Sequence, residues 1–386
     1  MAEIYEGALD KGLEGVVACT TGISFIQGNT LSFRGFTIED LAANSNFEEV
    51  VYLLWNDKLP NATELKALRE AISKEMTLSP ELIETLKKLP IKNVHPMQWL
   101  RTAVSLSSHW DTDANDNSTE ANQRKAIKLT AKMGTLVCAF EAIRNGRQPI
   151  APVKDKSIAW NFFYMLKNGQ EPKAEHVKIF DTCLILHADH ELNCSAFATR
   201  VTTSSLSDLY SAVTSALGAL KGSLHGGANE QVMLMLKKIG TIDKAKAFVQ
   251  ETLANKGLVM GIGHRVYKNG DPRAAILRKV SDRLTAENNE HHWYEMSVLI
   301  DETMNREKGM MPNVDFYSAT VYYSMGIPID LYTPIFAVSR IAGWIAHATE
   351  QYGLHGERPP IKNKIYRPLG KWNGKMDQVY KSIEKR

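Results

Sequence analysis

The chain has 386 residues, enough for two domains and a large core, since the share of surface buried on folding rises with length. Hydrophobic residues make up 44% and charged residues 23%, and 46 basic against 43 acidic residues leave a net charge of +3 with no long basic run, so nothing electrostatic calls for a nucleic-acid or membrane partner. Cys19, Cys138, Cys183 and Cys194 form no CxxC pair, the start MAEIYEGALDKGLEG lacks an apolar signal core, and no stretch reaches the roughly 18 apolar residues of a membrane span, so a cytoplasmic protein without disulfide framework or zinc ribbon is expected.

In chain order, ISFIQGNTLSFRG is the only good strand signal, two short β-type runs around Gly28-Asn29 that predict a hairpin. The rest reads helical: Phe47 to Asn56, Glu64 to Lys74, Glu81 to Lys88, and a helix from His95-Pro96 to His109. Residues 111–123, DTDANDNSTEANQ, read as a mobile polar loop. Long amphipathic segments follow at 119–145, 155–168, 174–190 and 204–220. Glycines at 222, 226, 227 and 240 then change the texture, and short helices broken by Gly and Pro turns are expected from about 226 to 325. A last apolar helix is expected to start with Thr333 as cap and Pro334 as its first residue, and to run to Gly353; the tail beyond has no helical period. The fold class is therefore mainly α-helical with a small N-terminal β-hairpin, divided into a discontinuous large domain (1–225 and 326–386) and a small one (226–325).

Five stretches could carry chemistry. GIGHRVYKNGDPR (261–273) sets His264 after two glycines that permit close backbone approach, and its Asp271-Pro272-Arg273 reads as the capped start of a helix. In HADHELN, His187 and His190 share a helix face, which suggests either a metal site lacking further ligands or a histidine capping a helix end. His225 of LHGGANE precedes a helix N-terminus, where the dipole disfavours imidazolium; a neutral hydrogen-bond donor or a plain helix cap would both fit. In PNVDFYSA, Asp315 lies among apolar neighbours and is either a desolvated base or an N-cap. Arg340 is the one full charge in a long apolar stretch and needs an anionic partner, such as a ligand carboxylate.

These motifs, with VSRIAGW and GERP, occur in an order in which the chain resembles the citrate synthase family of the short bacterial and archaeal type, over nearly its whole length. The resemblance implies a two-domain, mostly helical homodimer that closes on oxaloacetate and acetyl-CoA. By it, Asp315 takes a methyl proton from acetyl-CoA, His225 is the neutral donor to the thioester oxygen, and His264 polarises the oxaloacetate ketone. His190, Arg273, Arg340 and Arg358 match the oxaloacetate binders, with Arg358 given by the second subunit. Met260, Gly261, Ile262 and Gly263 would meet coenzyme A, together with Lys308 and Asn313. No metal and no cofactor is implied, since acetyl-CoA is a substrate. Two other readings are a 2-methylcitrate synthase, which takes propionyl-CoA on the same fold, and a metal-dependent hydrolase using His187 and His190.

Overall fold

A computed structural model of the chain describes residues 12–13, 15–354, 363–370, 374–375 and 378–386. Strands β1 (Ser24–Gln27) and β2 (Thr30–Phe33) form the expected antiparallel hairpin, with Ser24 opposite Phe33 and Gln27 opposite Thr30, and β3 (Phe36–Thr37) adds a short third strand on β2. The turn needs a left-handed residue at its first position, which Gly28 supplies with φ 61°.

Helices follow in quick succession, and their starts are written in the sequence. α1 (Ile38–Asn44) is capped by Thr37; α2 (Phe47–Asn56) and α3 (Ala62–Glu75) begin with reciprocal capping boxes, Asn46 with Glu49 and Asn61 with Glu64. Ser79-Pro80 opens α4 (Pro80–Lys87), and His95-Pro96 opens α5 (Pro96–Ser107), which ends in a 3-10 turn at Ser108–Trp110. Then come α6 (Thr119–Arg144), α7 (Ile158–Leu166), α8 (Ala174–His187), α9 (Cys194–Ser204), α10 (Leu209–Leu220), α11 (Ala228–Ile239), α12 (Ile242–Ala254), α13 (Pro272–Glu287), α14 (His292–Lys308), α15 (Val314–Ser324) and α16 (Tyr332–Gln351). None is long and apolar enough to cross a membrane, among the described residues.

α16 is apolar on nearly every face, as a helix enclosed by protein must be, and it packs against α2, α6, α8, α9 and α10. Trp344 and Arg340 on it are both buried. α11 to α15 pack chiefly on one another, α13 on α15 and α12 on α14.

Four expectations need correction. Residues 111–118 are not a loose loop: Asp111 is buried against Lys128 Nζ (2.6 Å) and Tyr210 Oη (2.8 Å), Arg124 grips Asp113, and residues 119–123 belong to α6. The helix α9, Cys194–Ser204, has no counterpart in the sequence reading. The segment 226–325 holds helices of 12 to 17 residues apart from the 11-residue α15, because Gly240 and Gly309 end helices in positive φ rather than interrupting them. Thr333 does not cap α16 but lies inside it, donating its hydroxyl to the Gly226 carbonyl (3.1 Å).

Candidate active site

The HADHE stretch leaves the end of α8 and is clamped from two sides. Gly343 of α16 lets the loop come close: its amide donates to the Ala188 carbonyl (3.1 Å), and a Cβ there would strike that oxygen and Asp189 Oδ1. From β1, the Ser24 hydroxyl donates to Asp189 Oδ2 and accepts from the Glu191 amide (2.7 Å), while the Ile26 amide donates to Glu191 Oε1 (2.6 Å). Glu191 turns the chain at φ 48°. This clamp presents His190, whose ring lies 5.0 Å from that of His264 and whose Nε2 is 3.1 Å from Tyr267 Oη. Burial, with the charges of Arg273 and Arg340 adding to it, holds His190 well below the usual imidazole range, so it is neutral.

His187 does not join His190. Its Nδ1 faces the Cys183 carbonyl of its own helix (2.8 Å), and its ring packs on Phe336. No group of three or more His, Cys, Asp or Glu side chains is placed to share a metal ion, among the described residues. Among the described residues, His187 and His190 therefore lack the further ligands that the hydrolase reading requires.

His225 sits in the turn before α11 and does not cap it, since Gly227 holds the cap position with no side-chain bond. Ser195, at the start of α9, donates its hydroxyl to Asn193 Oδ1 (2.9 Å), and its hydroxyl oxygen, which accepts from Trp344 Nε1 (3.0 Å), lies 2.8 Å from His225 Nε2; the Ser195 amide also faces that nitrogen (3.3 Å). Ser195 thus anchors the ring of His225 through Nε2. Burial and the Arg340 charge lower its pKa to about 3, which keeps the ring neutral.

The segment 259–263 is fixed by pairing with 311–313. Gly263 N donates to the Met311 carbonyl (2.8 Å), Asn313 N to the Gly261 carbonyl (2.9 Å), and Asn313 Nδ2 to the Gly263 carbonyl (2.9 Å). Both glycines have positive φ, and a Cβ on Gly261 would lie 2.6 Å from Val232 Cγ2. This pairs the segment leading into His264 with the one leading into Asp315, although the two residues are 51 positions apart in the chain. The His264 Nδ1 accepts from the amides of Val266 (3.0 Å) and Tyr267 (3.3 Å), so its proton is on Nε2; burial and Arg273 lower its pKa to about 4.

Asn313, not Asp315, caps α15, accepting from the Asp315 amide (3.0 Å). The N-cap alternative for Asp315 therefore fails, and its carboxyl is left for other work. It is 9% exposed, and Oδ1 has no hydrogen-bond partner among the described residues. Burial raises its pKa to about 7, Asp271 adding to the rise and Arg273 and Arg340 opposing it.

Arg273 is gripped by Asp271 through Nε (3.0 Å) and Nη2 (2.8 Å), and the same carboxylate caps α13 and accepts from the Val314 amide (3.0 Å). Arg340 donates from Nε to the His187 carbonyl (2.6 Å) and lies over the Phe336 ring, yet no carboxylate pairs with it among the described residues. Burial lowers its pKa to about 9. A guanidinium kept in the interior, with Asp189 and Asp315 acting on it only from beyond ion-pair distance, is a sign of an anionic ligand.

Of the coenzyme candidates, Met260, Gly261, Ile262, Gly263 and Asn313 adjoin this cluster, Asn313 as the peg that holds it. Lys308 is exposed at the end of α14, beside a cavity of about 280 Å³ lined by Gln250, Leu253, Ala254 and Glu307. Arg358 lies outside the described residues. The sequence reading missed Ser195, Tyr267 and the second role of Asp271. Asp271 and Tyr267 sit inside the motif that named His264 and Arg273, whereas Ser195 gave no signal of its own.

A buried cluster that combines a protonatable carboxylate, neutral imidazoles and arginines among helices defines a class of enzyme working on carbonyl compounds and carboxylates. Residues 12–369 match the family described as citrate synthase, C-terminal domain, and the chain belongs to the citrate synthase family, whose members are acyltransferases. Citrate synthase 2 of Bacillus subtilis is 50% identical over 97% of this chain and 99% of its own, and the citrate synthase of Haloferax volcanii is 45% identical over 98% and 100%. Among solved structures, citrate synthase of Thermoplasma acidophilum in ternary complex with carboxymethyl coenzyme A and oxaloacetate superposes with a TM-score of 0.91, at 30% identity over 98% of this chain and 100% of that one. Relatives named 2-methylcitrate synthase match at 40% and 39% identity.

Proposed function

We propose that the chain makes citrate, condensing acetyl-CoA with oxaloacetate and then hydrolysing the citryl-CoA formed, with Asp315 as the base. A thioester methyl is a very weak carbon acid, so one carboxylate cannot deprotonate it usefully unless the developing oxyanion is stabilised at the same time in a closed, dry site. The Asp315 carboxylate removes a methyl proton while the neutral ring of His225 donates a hydrogen bond to the thioester oxygen. The methyl carbon then bonds to the ketone carbon of oxaloacetate, and the ketone oxygen, polarised by His264 Nε2–H, takes up that proton as it becomes an alcohol. Water finally cleaves the thioester, giving citrate and coenzyme A.

In this reading Arg340 and Arg273 hold the oxaloacetate carboxylates with His190, and Arg358 of a second copy completes the set in a homodimer. Residues 226–325 form a small domain that closes on the large one and brings the stretch from Met260 to Gly263, with Lys308 and Asn313, to coenzyme A. The reaction needs no metal and no further cofactor, and the enzyme works in the cytoplasm. The observation that carries the proposal is the buried, unpartnered carboxyl oxygen of Asp315 in one cluster with two neutral imidazoles, of which His264 is left with its Nε2–H to donate.

Incubating the purified protein with acetyl-CoA and oxaloacetate and identifying the acid by mass spectrometry tests it: citrate is expected, and its absence rejects the assignment. The relatives named 2-methylcitrate synthase support a second reading. One methylene is worth about 1–3 kcal/mol of discrimination, so kcat/KM for acetyl-CoA is expected to exceed that for propionyl-CoA by roughly 10-fold or more; the reverse order would favour 2-methylcitrate.

A further inference from the structure

Tyr267 belongs to none of the roles above, yet it touches two of the three imidazoles. It is 5% exposed, and its ring lies 4.6 Å from that of His264 and 5.5 Å from that of His190. Its amide donates to His264 Nδ1 (3.3 Å), and its phenol oxygen is 3.1 Å from His190 Nε2. A buried phenol proton left without an acceptor costs about 1–3 kcal/mol. Among the described residues, His190 Nε2 is the acceptor that the phenol reaches. Were Nε2 itself protonated, the phenol would be left with its own proton unplaced. The phenol is therefore the donor, Nε2 carries the lone pair, and the proton of His190 is on Nδ1.

We propose that Tyr267 is a positioning residue that sets the tautomer of His190, using its hydroxyl to put the proton of that ring on Nδ1, while its amide joins that of Val266 in holding the proton of His264 on Nε2. The hydroxyl also spans the cleft, since His190 comes from the loop after α8 and Tyr267 from the loop before α13. Oxaloacetate binding thus depends on a residue that does not touch it. A tyrosine is needed for this, because phenylalanine would fill the same space with no proton to give. The inference rests on His190 being an oxaloacetate ligand, as proposed above.

Tyr267→Phe keeps the ring and the amide and removes only the hydroxyl, so the fold is retained, which the melting temperature checks. The expected result is a rise of about 5- to 10-fold in the KM for oxaloacetate, the scale of one hydrogen bond, with kcat and the KM for acetyl-CoA within about twofold of wild type. The double variant with His190→Gln separates positioning from mere packing. If Tyr267 acts through His190, Tyr267→Phe adds less than about twofold once His190 is gone. An equal penalty in both backgrounds, or an oxaloacetate KM unmoved by Tyr267→Phe, overturns the inference. A wild-type protein that binds no oxaloacetate would reject the functional reading instead, so the two failures are distinguishable.

Discussion

Replacing Asp315 with Asn should make the protein more stable and almost inactive at the same time, with a pH dependence that exposes the cause. Burial raises this carboxyl from its ordinary 3.8 to about 7. At about 1.4 kcal/mol per pH unit, that shift represents a folding penalty of about 4 kcal/mol. The sign follows from the raised value: the unfolded chain ionises above 3.8 while the folded one stays protonated up to about 7, so the penalty is absent at low pH, grows between those limits and is constant above them. The amide of Asp315→Asn has the same shape and never ionises. Urea unfolding should therefore find the variant more stable than wild type by about 4 kcal/mol at pH 8 but only by about 2 kcal/mol at pH 5. Turnover should fall by about 10²- to 10⁴-fold, the worth of a general base. A variant no more stable than wild type at pH 8, or a gain that does not change with pH, would refute the reasoning.

The other side chains make separate predictions. Arg340→Leu removes a buried cation with no carboxylate partner among the described residues, so stability should hold while oxaloacetate binding measured by calorimetry weakens by about 1.5–3 kcal/mol; an unchanged Kd would contradict the role. Gly343→Ala would push the Asp189 loop off α16, so a lower melting temperature, from about 1–3 kcal/mol of overpacking, should accompany weaker oxaloacetate binding. Wild-type stability and affinity in that variant would mean the close approach is unimportant. Dialysis against a chelator should leave kcat unchanged; activity lost on dialysis and restored by a divalent cation would revive the metal-dependent reading.

How much of this was legible in the sequence depends on how local the cause is. The hairpin and helices α2 to α5 are set by turn glycines, capping boxes and Ser-Pro or His-Pro starts, all within a few residues, and they can be read directly, whereas α1 was not read. α9 could not be read, because CSAFATRVTTS is rich in Ser and Thr, and packing against α10 and α16 rather than propensity holds it helical. Asp111 likewise draws its order from Lys128 and Tyr210, far along the chain.

The same divide runs through the site. That His225, His264, Asp315 and Arg340 were candidates could be seen from glycine neighbours or from charge in apolar surroundings. How the His225 ring is anchored could not, because it is Ser195, 30 positions earlier, that meets its Nε2. Nor could the sequence choose between Asn313 and Asp315 as the cap of α15, since both suit the position. The choice is made by Asn313 bonding at once to the Gly263 carbonyl and to the Asp315 amide, a contact across 50 residues.

The most direct test measures free thiol released from acetyl-CoA by the wild-type protein and by Asp315→Asn, each with and without oxaloacetate. Release that requires oxaloacetate in the wild type and falls by at least about 100-fold in the variant is the predicted result. Release without oxaloacetate, or a variant that turns over like the wild type, would contradict a condensation driven by this buried carboxylate.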